Sequence, residues 1–306
     1  MLRMGVDLGG TKIEGIVLAP DGSVRWSTRV PTPRGTVGGI VEAIAELVAE
    51  GERAVAEPCT VGVGTPGSIS PHTGRLRGSN SVELNGCALD QLLSARLARP
   101  VRIANDANCF ALSEATDGAG QGATSVFGVI LGTGVGGGLV IDGRIVVGRH
   151  AIAGEWGHNP LPWMTPEELA EVSDCYCGKA GCIETWLSGP GIAQHAGARL
   201  GPIDSRELAA RAEAGDGAAR DELMRVADRL ARALACAINV VDPEVIVLGG
   251  GVSNVDPLYP AVRERLPRYV FSDHCDTPIV RHRHGDASGV RGAAWLWPAR
   301  NDDRQL

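Results

Sequence analysis

One arrangement of strands and turns occurs twice in this chain, and it limits the possible folds more than any other feature. An apolar run ending at Asp7 meets Gly9-Gly10, a second run covers Ile13 to Leu18, Asp21-Gly22 turns the chain, and Val24 to Val30 completes a three-stranded meander. Over a hundred residues later Ser125 to Leu131 leads into Gly132-Thr133-Gly134, followed by Gly138 to Ile141, Asp142-Gly143 and Ile145 to Val147. Short runs of β-formers bounded by Gly and Asp-Gly are hairpin signals. A unit repeated at this separation, far beyond solenoid periods, implies two similar lobes rather than an array.

Helical spacing fills the intervals, at about 37–49, 89–97, 107–115 and 206–214. In the longest helical pattern Asp216 is a candidate N-cap, and Ala219, Leu223, Val226, Leu230, Leu234 and Ile238 recur until Asp242-Pro243. The apolar run Val245 to Leu248 then empties into Gly249-Gly250-Gly251, and helices at about 257–266 and 290–297 finish the chain. Strands followed by helices in both halves give an α/β protein of two lobes with a ligand cleft. The expected lobes are 1–118 and 119–306, the C-terminal helix at about 290–306 being a candidate to pack back on the first.

A formal net charge of -7 with no long basic run argues against nucleic acid or an anionic membrane as partner. No stretch approaches the roughly 18 apolar residues of a membrane span, and Asp7 stands where a signal peptide needs an apolar core, so a cytoplasmic protein is expected. Of eight cysteines, Cys175, Cys177 and Cys182 crowd together, which reads as metal binding in a reducing compartment; Cys59, Cys87, Cys109, Cys236 and Cys275 read as buried small hydrophobes.

Three glycine-rich turns follow β runs: Asp7-Leu8-Gly9-Gly10-Thr11-Lys12, Gly132 to Gly138 with Thr133 inside it, and Gly249 to Gly251. Glycine lets backbone N–H groups surround phosphate oxygens. Any one of these is equally a plain turn; three, two of them in duplicated positions, point to a nucleotide, and none fits the P-loop pattern. The chain has only two lysines, Lys12 and Lys179, and Lys12 beside Gly-Gly-Thr suits a point charge on phosphate, or is simply solvated. Asp7 suits Mg²⁺, or caps its turn.

Asn105-Asp106 joins an apolar strand to a helix. Position alone makes Asp106 an N-cap; in a phosphoryl transferase it would be the carboxylate that accepts the proton of the attacking hydroxyl, with Asn105 beside it to bond a sugar hydroxyl. Glu155-Trp156-Gly157-His158 and the C-x-C-x₄-C run ending at Cys182, followed by Glu184, supply three thiolates and an imidazole, the donor set of a closed, structural Zn²⁺ site. Such a site would pin Glu155 and Glu184 into one wall, and the phosphate loops are expected to stand apart from it on other strands.

These motifs, in this order and over nearly the whole chain, resemble the ROK family of bacterial repressors, open reading frames and kinases. The resemblance implies an actin-like (duplicated, ribonuclease H-like) two-lobed sugar kinase fold with a zinc knuckle, ATP and Mg²⁺ between the lobes, and usually a homodimer. It further implies Asp106 as base, structural zinc on His158, Cys175, Cys177 and Cys182, and sugar contacts from Asn80, Asn105, Glu155, His158 and Glu184. The segment from Leu161 to Asp174 is longer than in many members.

Within the family, the tracts 66–71, 154–164 and 284–298 look like those of manno(fructo)kinases. That similarity makes fructose, phosphorylated on its 6-hydroxyl, the expected substrate, with mannose and glucose next and N-acetylglucosamine as the alternative. A sugar-sensing repressor of the same family would carry a helix-turn-helix ahead of the first loop, and six residues before Asp7 leave no room for one, so an enzyme is expected.

Overall fold

The first meander forms as its pattern requires. Strands β1 (Arg3–Leu8), β2 (Lys12–Leu18) and β3 (Val24–Pro31) pair antiparallel, with Asp7 opposite Glu14. Helix α1 (Val37–Val55), capped where Thr36 accepts the Gly39 N–H, leads to β4 (Thr60–Thr65), a small hairpin of β5 (Ser68–Ile69) and β6 (Leu76–Arg77), and α2 (Leu89–Leu97). Strand β7 (Val101–Asn105) and α3 (Asp106–Thr116) follow. Strands β4 and β7 join β1 in parallel, giving the sheet order β3-β2-β1-β4-β7.

The second sheet repeats the plan. It contains β8 (Ser125–Leu131), β9 (Val135–Ile141), the two-residue β10 (Arg144–Ile145) and, after helices α4 (Pro166–Ala170), α5 (Ile183–Leu187), α6 (Gly189–Leu200), α7 (Ser205–Glu213) and α8 (Gly217–Val241), β11 (Val245–Gly249). Helix α9 (Leu258–Arg265) and the edge strand β12 (Ile279–Arg281) complete it, and α10 (Ser288–Trp295) follows. Its order, β10-β9-β8-β11-β12, is that of the first sheet with β8 in the place of β1, and β11 is parallel to both β8 and β12. The duplication read from the sequence is therefore a duplicated topology. The fold is the two-lobed α/β fold with two mixed sheets.

This computed structural model describes residues 1–79 and 81–298, so Asn80 and the expected helix beyond 298 lie outside the described residues. It divides into two compact units: Met1–Gly122 with Gly138–Ala153 and the chain from Arg283 onward, and Ala123–Gly137 with Gly154–His282. Among the described residues no helix is long and apolar enough to cross a membrane.

Each unit has its own core. In the second, α8 buries Leu223, Val226, Leu230, Leu234 and Ile238, all of them in the periodic pattern that follows its Asp216 cap, together with β8, β11 and the fully buried Trp186. In the first, Val6, Val61, Val63, Ile40, Ile44 and Leu47 fill the space between sheet and α1. On the other face α10 lies on β1 and β4 and against α3 with almost no side chain between them. A Cβ on Gly5 would land on the Val290 carbonyl, one on Gly62 on the Ala293 carbonyl, and one on Gly292 on the Cys109 carbonyl. Cation–π contacts fasten the end of this layer, Arg3 over Trp295 and Arg102 over Trp297.

Overpacking of a filled layer typically costs about 1–3 kcal/mol. Gly62→Ala should therefore lower the melting temperature by several degrees, whereas Gly38→Ala, at an exposed helical position with nothing within 4 Å of its Cβ, should leave it unchanged or slightly raised. Thermal unfolding followed by circular dichroism checks both, and equal melting temperatures for the two variants would show that the α10 contact is not tight.

Candidate active site and metal centre

In the first unit the carboxylates gather at the ends of β1 and β7. Asp7 is partly buried, and glycines flank it: a Cβ on Gly289 would lie 3.6 Å from Asp7 Oδ2 and one on Gly64 3.7 Å from Oδ1. The space those side chains would fill stays beside the carboxylate, which suits a hydrated Mg²⁺ carrying phosphate oxygens. Burial, and then the charges of Asp106 and Glu14, push the Asp7 carboxyl up to about 6, against the pull of Lys12 and Arg29.

Asn105, not Asp106, is the N-cap of α3. Its Oδ1 accepts the Ala107 N–H at 2.9 Å, an N–H that Asp106 Oδ1 also accepts at 2.9 Å, and its Nδ2 donates to the Gly67 carbonyl at 3.2 Å. Asp106 is the first residue of the helix, where a carboxylate is favoured by the helix dipole. One turn on, Cys109 is buried beside this pair, and burial with the charges of Asp7 and Asp106 raises its thiol well above the ordinary range. It is a packing residue, as the sequence suggested.

The first glycine loop is closed by Gly9 N–H to Lys12 O at 3.0 Å and braced by the Thr32 hydroxyl on Gly9 O at 2.7 Å, leaving Gly10, Thr11 and Lys12 exposed. Ser81, which no motif signalled, faces this loop. Its buried Oγ has no partner among the described residues and lies 3.7 Å from where a Gly10 Cβ would be.

In the second unit the other two glycine loops touch backbone to backbone. Gly250 has φ of 78°, and a Cβ there would land on the Leu131 carbonyl. Loop 132–134 is also held from the knuckle side. Glu184 Oε2 accepts the Val135 N–H at 2.9 Å, Gly189 N–H donates to Gly132 O at 2.7 Å, and Trp156 Nε1 donates to Gly136 O at 3.0 Å. The expectation that the phosphate loops stand apart from the cysteine knuckle is thus corrected for this loop. Chain order separates them by about fifty residues, but the turn after Cys182 folds directly onto the loop.

His158, Cys175, Cys177 and Cys182 each offer one ligand atom, and these atoms lie within 4.8 Å of one another. His158 Nδ1 is 3.6 Å from Cys175 Sγ, and Cys177 Sγ is 3.6 Å from Cys182 Sγ. A tetrahedron with zinc–sulfur bonds of about 2.3 Å and a zinc–nitrogen bond of about 2.0 Å has edges of roughly 3.5–3.8 Å, so the donors fit that ion. His158 Nε2 bonds the Tyr176 hydroxyl at 3.1 Å, the kind of outer contact that orients a ligating imidazole. Burial lifts the Cys182 thiol to about 12, while the Lys179 N–H lowers that of Cys177. Both ring nitrogens of His158 are engaged, whereas Glu155 is exposed just ahead of the 3₁₀ turn Trp156–His158.

The long segment after His158 carries α4, with a full capping box between Thr165 and Glu168. Glu168 is buried and takes hydrogen bonds from Arg229 at 2.8 Å and from Arg232 at 2.7 and 2.9 Å; Arg232 also donates to the carbonyls of Pro162 and Trp163.

Fold and site together define a duplicated α/β protein with glycine loops at its strand ends and a Cys₃His knuckle, and the comparisons assign it. The ROK family profile matches residues 3–300, and the chain belongs to that family. An N-acetyl-D-glucosamine kinase of Escherichia coli O6:H1 is 43% identical over 298 residues, 95% of this chain and 98% of that protein. Among solved structures, a ROK hexokinase from Thermus thermophilus matches with a TM-score of 0.84 and 33% identity over 96% of this chain and 97% of its own. A ROK family glucokinase from Streptomyces griseus in complex with glucose and AMPPNP matches at 0.75 and 29%, over 97% and 99%. The expected likeness to fructokinases is not what these relatives support; the alternative, N-acetylglucosamine, is.

The raised Asp7 carboxyl has a thermodynamic consequence. Below about pH 4 both folded and unfolded states hold the proton; between about 4 and 6 the folded state alone keeps it; above 6 the folded protein carries a charge that is costly to bury. Stability from this group is therefore lost as pH rises through about 6. In protein without nucleotide or Mg²⁺, Asp7→Asn should be more stable than wild type by about 3 kcal/mol at pH 7.5 and by only about 1 kcal/mol at pH 4.5. Denaturant titrations at the two pH values measure the gap, and a gap independent of pH would remove Asp7 as its source.

Proposed function

We propose that this protein is an ATP-dependent kinase that phosphorylates the 6-hydroxyl of N-acetyl-D-glucosamine. The observation that carries the reading is the 43% identity, over nearly the full length of both chains, to a kinase named for that sugar. The carboxylate pair Asp7 and Asp106 and the three glycine loops supply chemistry that fits it. Glucose is the second reading, favoured by the likeness to the glucokinase that holds glucose and AMPPNP.

In this reading Asp106 takes the proton of the 6-hydroxyl as its oxygen bonds the γ-phosphorus, and the bond to the β-phosphate oxygen breaks to release ADP. Asp7 holds Mg²⁺, which neutralises phosphate charge when bound, and Lys12 with the N–H groups of loops 9–12, 132–134 and 249–251 orients the phosphates. Sugar hydroxyls fall to Asn105, Glu155 and Glu184, with Asn80 assigned by family resemblance alone. His158 reaches a sugar only through Nε2, in exchange for Tyr176. One structural zinc per chain, on His158, Cys175, Cys177 and Cys182, holds the wall that carries the two glutamates. The lobes 1–118 and 119–306, a homodimer and a cytoplasmic location belong to the same proposal.

Purified protein with ATP and Mg²⁺, assayed as ADP release on N-acetylglucosamine, glucose, mannose and fructose, should give its highest kcat/KM on N-acetylglucosamine, with fructose at least about tenfold lower, the scale of one pocket contact. Asp106→Asn should keep the fold and lose about 10²–10⁴-fold in kcat. Fructose as the best substrate would restore the fructokinase reading, and release from none would end the kinase one.

Metal analysis of the freshly purified protein should find one zinc per chain, and about none in Cys177→Ala. A metal-free active protein would reduce the cluster to packed thiols.

A further inference from the structure

We propose that Glu184 is a positioning residue for the nucleotide, which fixes the glycine turn between β8 and β9 and links it to the knuckle. The inference rests on the kinase reading for its functional part and on geometry alone for the clamp. A turn of Gly132-Thr133-Gly134 has little intrinsic preference for one shape, because glycine visits more backbone conformations than any other residue. A loop that must present N–H groups to phosphate needs its shape imposed from outside.

The stretch from Glu184 to Gly189 imposes it at both ends. The Gly189 N–H takes the carbonyl of Gly132, where the turn begins, and the Glu184 carboxylate takes the N–H of Val135, where it ends. The second bond is charge-assisted, roughly twice as strong as a neutral one. The approach also explains a side chain that is missing: a Cβ on Gly134 would stand 2.7 Å from Glu184 Oε2 and displace it. On its other side, Glu184 Oε1 is 3.9 Å from Cys175 Sγ, and α5 begins at the Cys182 carbonyl, which the Thr185 N–H and hydroxyl bond at 2.9 and 2.8 Å. The carboxylate thus holds the loop, while the helix that carries it is tied to the knuckle through Cys182.

A glutamate that served only a sugar would leave the loop unchanged when removed. Two measurements on the full chain, both without sugar, separate the roles: hydrogen exchange of the Val135 amide and the Kd for AMPPNP with Mg²⁺. Glu184→Ala should speed Val135 exchange and raise the AMPPNP Kd, each about tenfold, the loss of one charged hydrogen bond. Glu184→Gln keeps an acceptor and should stay within about threefold of wild type on both. Gly134→Ala should behave like Glu184→Ala with the carboxylate still present, which keeps the test open if Glu184→Ala fails to fold. Unchanged exchange and Kd in a folded Glu184→Ala, with only the KM for sugar raised, would overturn the proposal. If wild type binds no AMPPNP, the kinase reading falls, while Val135 exchange still decides the clamp.

Discussion

Backbone laid directly on backbone sets the frame on which the first unit's chemistry stands. Gly5 and Gly62 on neighbouring strands and Gly292 on α10 remove the side chains that would otherwise separate sheet, α10 and α3. Layers so close have almost no freedom to slide, since packed interiors resist compression and transmit strain. Asp7 lies one residue from the end of the strand that Gly5 occupies, Asp106 begins the helix that Gly292 touches through Cys109, and Gly289 on α10 leaves the space beside Asp7 open. The last helix among the described residues therefore positions two carboxylates drawn from the first 106 residues.

The same region shows how stability is exchanged for function. A carboxyl raised to about 6 by burial and by its neighbours is a strained choice for a structural residue. It would suit a group whose charge is met by a divalent cation, as proposed above, because such a cation would offset the repulsion between Asp7 and Asp106 that the folded chain otherwise bears.

Local patterns made most of the fold legible. Hairpin turns marked both meanders, and the Asp216 cap with its periodic apolar residues marked α8, because those signals lie within one element. The cluster of Cys175, Cys177 and Cys182 was legible from its close spacing, as was the helix start at 105–106, where only the division of labour differed: Asn105 caps and Asp106 does not have to. The pair α5 and α6 escaped because Gly189-Pro190-Gly191 breaks any helical pattern, although Ser188 caps α6 by accepting the Gly191 N–H. Glu184 on the Val135 N–H and Ser81 against Gly10 are contacts across long stretches of chain, to which no periodicity points.

The segment from Leu161 to Asp174 joins these themes: no helix was expected in it, although Thr165-x-x-Glu168 is a capping-box pattern, and its anchoring lies across long stretches of chain. Glu168 lies in the interior with Arg229 and Arg232, and Arg229 also faces Glu222 and stacks over Trp186. Buried ions of this kind contribute little net stability, because desolvation offsets most of the attraction, but removing one partner strands the others at a cost of about 3–5 kcal/mol. What such a network fixes is geometry. The anchored segment in turn bonds the knuckle, Leu161 N–H to Gly181 O at 2.9 Å and Gly181 N–H to Ser173 O at 3.0 Å. The knuckle is thereby held on one side by an ionic strap from α8 and on the other by the carboxylate that grips the glycine turn, so its shape is set by the second unit's core and passed on to the loop.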